Sequence, residues 1–204
     1  MTKLVNKYLK ILKSDGVIIT STDTVPAIIC NALSEKAVKK IYKIKKRHEN
    51  KPLAILCPNK EMAKKFLKID KNNEIILDNF APGAITLILP AIANNNMAKS
   101  INLLNKTIGL RIPDHNFLHE VMSQGDFPLA ATSANISNES IDLDNINSNF
   151  DSKVQLINLG KDALVKQASS IFTISSKTEI TEHRKGPISK NDIKILLNNN
   201  KNAN

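Results

Sequence analysis

Three arginines stand out in a chain that writes almost all of its positive charge as lysine. Against 26 Lys there are only Arg47, Arg111 and Arg184. A guanidinium is a planar fork of five donors that grips carboxylate and phosphate oxygens in pairs, which an ammonium cannot imitate. These positions are therefore the first candidates for an anion site, and each falls in a polar segment beside an apolar run. In KIKKRHENKP (43–52), Arg47 stands with Lys45 and Lys51 where a helix gives way to a strand. Lys36, Lys40, Lys43 and Arg47 share a polar helical stripe, whereas Lys45 follows Val38 and Ile41 beside the apolar face. Such a cluster could wrap a polyphosphate by side-chain charge; a solvated lysine-rich surface is the plainer account. In TIGLRIPDH (107–115), Arg111 and Thr107 lie four apart on a strand, so the period of two puts them on one face. An arginine inside an apolar strand needs an anion, because burying it alone is costly. That anion is either a ligand or an internal Asp or Glu.

Hydroxyl groups recur at the same kind of place. STDTV (21–25) follows the apolar run VIIT with three hydroxyls and a carboxylate, suited to a small polar ligand at a sheet edge or to an ordinary turn. LAATSANIS (129–137) ends a buried run in small hydroxyl and amide residues, including Ser133 and Asn135, that let a ligand approach the backbone or simply form a tight turn. Ser169 begins the run ASSIFTI, and Arg184 lies just before Gly186-Pro187 in EHRKGPIS. Other chemistries are missing their signatures. The chain has no G-x-x-x-x-G-K-[ST], no G-x-G-x-x-G and no G-x-S-x-G. His115 and His119 are four apart but lack a third ligand, so no protein metal cage is expected. Cys30 and Cys57, with no C-x-x-C, are expected to be reduced and buried.

The elements that must position these groups alternate. Apolar runs at 17–20, 53–57, 85–89, 107–112, 129–131, 154–159, 170–174 and 179–183 read as strands. Helical spacing appears over 3–14, from the Ser34 cap to about Lys46, after Asn59, after Pro113, near 142–150 and after Ser189. Several late strands have no helix between them, which points to an α/β domain with a mixed twisted sheet flanked by helices. The domain is expected over 1–196, with 197–204 (LNNNKNAN) a frayed tail. With 204 residues, 42% of them hydrophobic, the chain can bury one core. The net charge of +10 suggests an anionic partner, but 25 Asn beside the 26 Lys mark a background bias in composition. No apolar run approaches the roughly 20 residues of a membrane-spanning helix, and a cytoplasmic protein is expected.

Taken in order, the segments resemble the YrdC family, the threonylcarbamoyl-AMP synthases of tRNA modification. STDTV resembles P-T-[DE]-T-V-Y-G, KKRHENKPLAIL is similar to K-x-R-x-x-x-x-P-L, and APGAITLIL (81–89) resembles W-P-G-P-x-T. TIGLRIPDH resembles T-V-A-V-R-x-P-x-H, LAATSANIS is close to P-L-A-x-x-S-A-N-x-S, and ASSIF and HRKGPIS resemble S-T-[IV]-V and R-x-G-x-I. Six motifs in order span about residues 10 to 190.

The resemblance implies a YrdC-like α/β fold with a basic concave face, in the short form without an extra C-terminal domain. It implies a nucleotidyltransferase that joins L-threonine, bicarbonate and ATP into threonylcarbamoyl-AMP and pyrophosphate. A downstream transferase complex would then modify adenosine 37 of tRNAs reading codons that begin with A, so tRNA is an indirect partner. Carried over residue by residue, Thr24, Arg111, Ala131 and Ser169 would surround threonine, with Arg111 on its carboxylate. Lys45, Arg47, Lys51, Thr107, Ser133, Asn135 and Arg184 would surround ATP, with Mg²⁺ on its phosphates. Lys45 and Arg47 are candidates for stabilising charge during the reaction, and no general base is assigned. The sequence departs from the pattern at Ser21, Pro26, Ala27, Ala81 and Ala84; Pro26 removes a backbone donor and an aromatic wall. The alternative is a non-catalytic RNA-binding module using the +10 surface, although aromatic residues for base stacking are only 4% of the chain.

Overall fold

The computed structural model describes residues 2–101, 106–135, 140–150, 152–159, 167–176 and 178–200. In chain order the elements are α1 (Thr2–Lys13), β1 (Val17–Thr20), β2 (Ala27–Asn31), α2 (Glu35–Ile44), β3 (Ala54–Leu56), α3 (Lys60–Lys64), α4 (Lys71–Phe80) and β4 (Ile85–Pro90). A 3-10 turn (Lys99–Ile101) leads to β5 (Thr107–Arg111), α5 (Asn116–Gly125), β6 (Leu129–Ser133) and α6 (Ile146–Phe150). Then come β7 (Leu156–Asn158), β8 (Ser170–Ile174), β9 (Ile180–Arg184) and α7 (Lys190–Asn199). Among the described residues no helix is long and apolar enough to cross a membrane.

The strands form one mixed sheet in the order β7-β1-β2-β6-β3-β5-β4-β8-β9. The pairs β1/β7, β3/β5 and β4/β8 are parallel and the other neighbours antiparallel. Alternation along each strand sends successive side chains to opposite faces. Ile28, Cys30, Ile55, Leu87, Leu110 and Phe172 join one core cluster under α2, α3, α4, α6 and α7. Ile18, Ala27, Ile29, Leu56, Leu129 and Ala131 join a second under α1 and α5. That second cluster draws no residue from β4, β5, β8 or β9. The half of the face that α1 and α5 leave uncovered is where Thr86, Gly109 and Ala54 meet: a methyl built on Gly109 would lie 3.2 Å from the Thr86 Cγ2 and 3.5 Å from the Ala54 Cβ.

Local chemistry sets the helix ends. Ser34, Asn59 and Ser189 accept from the backbone N–H groups of Ala37, Met62 and Asp192, as caps do. The sequence carries α2 to about Lys46, but it stops at Ile44 and Lys46 takes a φ of 49°. Two elements are additional to those read from the sequence, β2 and α4. The domain also runs past 196, because α7 continues to Asn199 with Leu197 fully buried; residues 201–204 of the expected tail lie outside the described residues. Cys30 and Cys57 are free and buried, and burial pushes both thiol pKa values up, that of Cys57 to about 12.

Candidate functional site

Strand ends on the uncovered half-face enclose a cavity of about 210 Å³. Its wall is assembled from the β1–β2 loop (Thr22, Thr24), β4 (Thr86), β5 (Arg111), β6 (Ala131, Ser133), β8 with its lead-in (Ser169, Ile171), β9 (Arg184) and Arg47 after α2. Seven of the residues singled out from the sequence thus line one space: Thr24, Arg47, Arg111, Ala131, Ser133, Ser169 and Arg184. It is smaller than the roughly 300–1,000 Å³ of drug-sized ligand pockets, and so suits a small polar molecule.

Arg111 is 7% exposed and holds three protein groups. Its Nε donates to the Gly83 carbonyl (3.1 Å), Nη1 to the Thr24 hydroxyl (2.6 Å) and Nη2 to Asp23 Oδ2 (2.7 Å). Of the two anions the sequence allowed, the internal one is present. Asp23 Oδ1 is buried and has no hydrogen-bond partner. Thr24 is fixed in turn, since Thr22 Oγ1 accepts from its backbone N–H, lies 3.2 Å from its hydroxyl and donates to the Val25 carbonyl. On the far wall Arg184 donates from Nε to the Ser169 carbonyl (2.8 Å) and from Nη2 to the Ser169 hydroxyl (2.9 Å). That hydroxyl also lies 2.8 Å from the Thr86 hydroxyl, in a buried pair. Arg47 folds back on its own loop, donating to the carbonyls of Lys51 and Pro52 at 2.9 Å each.

The charges do not balance. Among the described residues three guanidiniums line the cavity and no carboxylate does, and neither Arg47 nor Arg184 meets an acidic group. Burial lowers the pKa of all three, and the Arg111 charge lowers that of Arg184 further. A bound anion relieves both effects, so the cavity is built for one.

Four expected site residues stand elsewhere. Lys45 is 1% exposed, and its ammonium donates to the carbonyls of Ser133 (2.5 Å) and Asn135 (2.6 Å) and to Asn135 Oδ1 (2.8 Å). It pins the loop after β6 and does not line the cavity. Burial and the Arg47 charge pull its pKa from 10.5 to about 7, while the three oxygens favour the ammonium. Asn135 completes that network by accepting from the Ser133 hydroxyl at 2.6 Å. The exposed Lys51 is beside the Arg47 loop, and Thr107 is on the uncovered face of β5, one strand-length from Arg111. Among the departures, Ala27 lines the cavity in place of a glycine, whereas Pro26 is buried and its carbonyl accepts from the Ala134 N–H at 2.8 Å.

Thr22, Asp23 and Thr86 are the site's additions to the sequence list. The signal for the first two was their place in STDTV between selected neighbours. For Thr86 it was a lone hydroxyl in the apolar run ITLIL.

A family model, Sua5_yciO_yrdC, described as "Telomere recombination", matches residues 10–186. A protein of Methanocaldococcus jannaschii is 40% identical over 64% of the chain and 62% of its own length. The threonylcarbamoyl-AMP synthase of Psychromonas ingrahamii is 31% identical over 81% of the chain and 87% of its own length. In structure, Pyrococcus abyssi Sua5 complexed with L-threonine superposes with a TM-score of 0.85 at 25% identity, covering 94% of the chain and 56% of Sua5. The chain thus spans less than two thirds of the Methanocaldococcus protein and of P. abyssi Sua5.

Proposed function

The chain belongs to the Sua5/YciO/YrdC family, and on that footing we propose that it is a threonylcarbamoyl-AMP synthase, a nucleotidyltransferase acting on L-threonine, bicarbonate and ATP. The observation that carries this reading is the unbalanced cavity, where three guanidiniums and several hydroxyls surround room for a small anionic molecule. The name of the Psychromonas relative and the threonine held by P. abyssi Sua5 support the choice of reactants.

All three reactants are anionic or carry an anionic group, so the chain's task is to gather them against their repulsion. The threonine amine bonds to the bicarbonate carbon and water leaves, giving a carbamate. A carbamate oxygen then bonds to the α-phosphorus of ATP, and the bond to pyrophosphate breaks. Transfers of this kind depend on alignment and charge stabilisation rather than on a protein nucleophile. Arg111 and Thr24, fixed by Asp23, Gly83 and Thr22, form a preset arm for the amino-acid carboxylate. Arg47, Ser133 and Arg184 stand at the nucleotide side. Lys45, Asn135, Lys51 and Thr107 act there by shaping the loop after β6 and the outer face. Mg²⁺ would enter with ATP and would supply charge neutralisation at its phosphates. No described group of three acidic, histidine or cysteine side chains fits a metal, so no step is assigned to the ion. The product would pass to a transferase that modifies adenosine 37 of tRNA. The test is threonine- and bicarbonate-dependent release of pyrophosphate; release that ignores both would overturn the reading.

A further inference from the structure

Counting hydroxyl hydrogens across the cavity shows a surplus on one wall. On the Arg111 side the count closes: Thr22 donates to the Val25 carbonyl, leaving its oxygen to accept from the Thr24 hydroxyl, while Arg111 donates to the Thr24 oxygen. The opposite wall does not close. Ser169 Oγ accepts from Arg184 Nη2 at 2.9 Å and pairs with Thr86 Oγ1 at 2.8 Å. Thr86 and Ser169 carry one hydroxyl hydrogen each, and their mutual bond uses one. The other has no acceptor among the described residues, although both side chains are at least 95% buried and both line the cavity. If Ser169 donates to Thr86, the free hydrogen belongs to Thr86. Arg184 commits two of its five N–H donors to Ser169. A wall with spare O–H and N–H donors and no facing acceptor is built for an oxyanion.

We infer that Thr86, with Ser169 and Arg184, forms the bicarbonate subsite. This rests on the function proposed above. The carbamate carbon must bond to the threonine amine on one side, and its oxygen must reach the α-phosphate on the other. Bicarbonate therefore has to lie between the amino acid and the nucleotide. The Thr86–Ser169–Arg184 group is where a residue expected around threonine, Ser169, touches one expected around ATP, Arg184. The spare hydroxyl hydrogen donates to a bicarbonate oxygen, and the uncommitted Arg184 N–H groups hold its charge.

The experiment compares wild type with Thr86→Val and Thr86→Ser in pyrophosphate release, varying bicarbonate and threonine separately. Valine keeps the shape and removes the hydroxyl; serine keeps the hydroxyl. The expected result is a bicarbonate KM raised about tenfold in Thr86→Val, equivalent to about 1.4 kcal/mol, with the threonine KM within twofold of wild type and Thr86→Ser close to wild type. An unchanged bicarbonate KM overturns the assignment, as does a threonine KM that rises as much or more. Should Thr86→Val not fold, Thr86→Ala replaces it with the same expectation. Line broadening of ¹³C-bicarbonate by the protein, lost in the valine variant, reads binding without turnover. Wild type that releases no pyrophosphate refutes the proposed function, and the subsite then stands or falls on that line broadening alone.

Discussion

At the scale of single residues, the same chemical type does two different jobs. Arg111 is matched by Asp23 inside the fold, whereas among the described residues Arg184 and Arg47 are braced by carbonyl and hydroxyl oxygens alone. Arg111→Lys keeps the charge but cannot span Gly83, Thr24 and Asp23 together. It should cost about 1–3 kcal/mol in urea denaturation, the range for leaving buried polar groups unpaired, and should raise the threonine KM or abolish turnover. Wild-type threonine kinetics in this variant would remove Arg111 from the site. Lys45 makes a prediction about pH. Its pKa falls from 10.5 unfolded to about 7 folded, so between those values unfolding takes up a proton and stability rises with pH. The penalty for its charge is complete below pH 7 and gone above 10.5. The urea midpoint of wild type relative to Lys45→Met should therefore climb between pH 6 and 9; a flat difference would show that the three oxygens cancel the effect of burial. Residue type and position in the sequence sufficed to pick out the cavity's three arginines and the hydroxyls of Thr24, Ser133 and Ser169, but not those of Thr22 and Thr86. They did not reveal which of them were matched internally, because the Asp23–Arg111 pair joins residues 88 positions apart.

At the scale of elements, the site depends on strands brought close from distant parts of the chain. The segment around Gly186 crosses the start of β8 so tightly that a methyl there would sit 2.4 Å from the Ser170 nitrogen and 2.6 Å from the Ala168 carbonyl oxygen. Both obstacles are backbone and cannot rotate away. Gly186→Ala should cost about 1–3 kcal/mol and weaken activity by moving Arg184 off Ser169, measured by denaturation and turnover together; a variant of wild-type stability and activity would contradict the packing. Ser34→Ala should cost about 0.5–2 kcal/mol through the lost cap, and it also removes a 2.6 Å hydrogen bond to Asp15. Most elements were legible from period and caps, as Asn59 and Ser189 show. β2 was not, because AIICN follows a proline and merges with the polar loop before it. α4 was not, because KNNEIILDNF contains three asparagines, weak helix formers; its Asp70 cap, accepting from Asn73, was the available signal.

At the scale of the whole molecule, the sheet order explains why the chemistry gathers where it does. α1 and α5 cover one face only over β7, β1, β2, β6 and the end of β3, and the remaining half-face carries the hydroxyls and guanidiniums. Strand order across nine strands depends on long-range pairing that no local pattern encodes, so the alternation of elements gave the α/β class and not the place of the opening. The net charge of +10 first pointed to nucleic acid; its most specific part is three arginines around a cavity for small anions. Purified protein given ATP, Mg²⁺, L-threonine and bicarbonate tests that conclusion most directly, with pyrophosphate as the readout. The account predicts release that requires both threonine and bicarbonate and yields one threonylcarbamoyl-AMP per pyrophosphate. Release that is absent, or that proceeds equally without threonine, would contradict it.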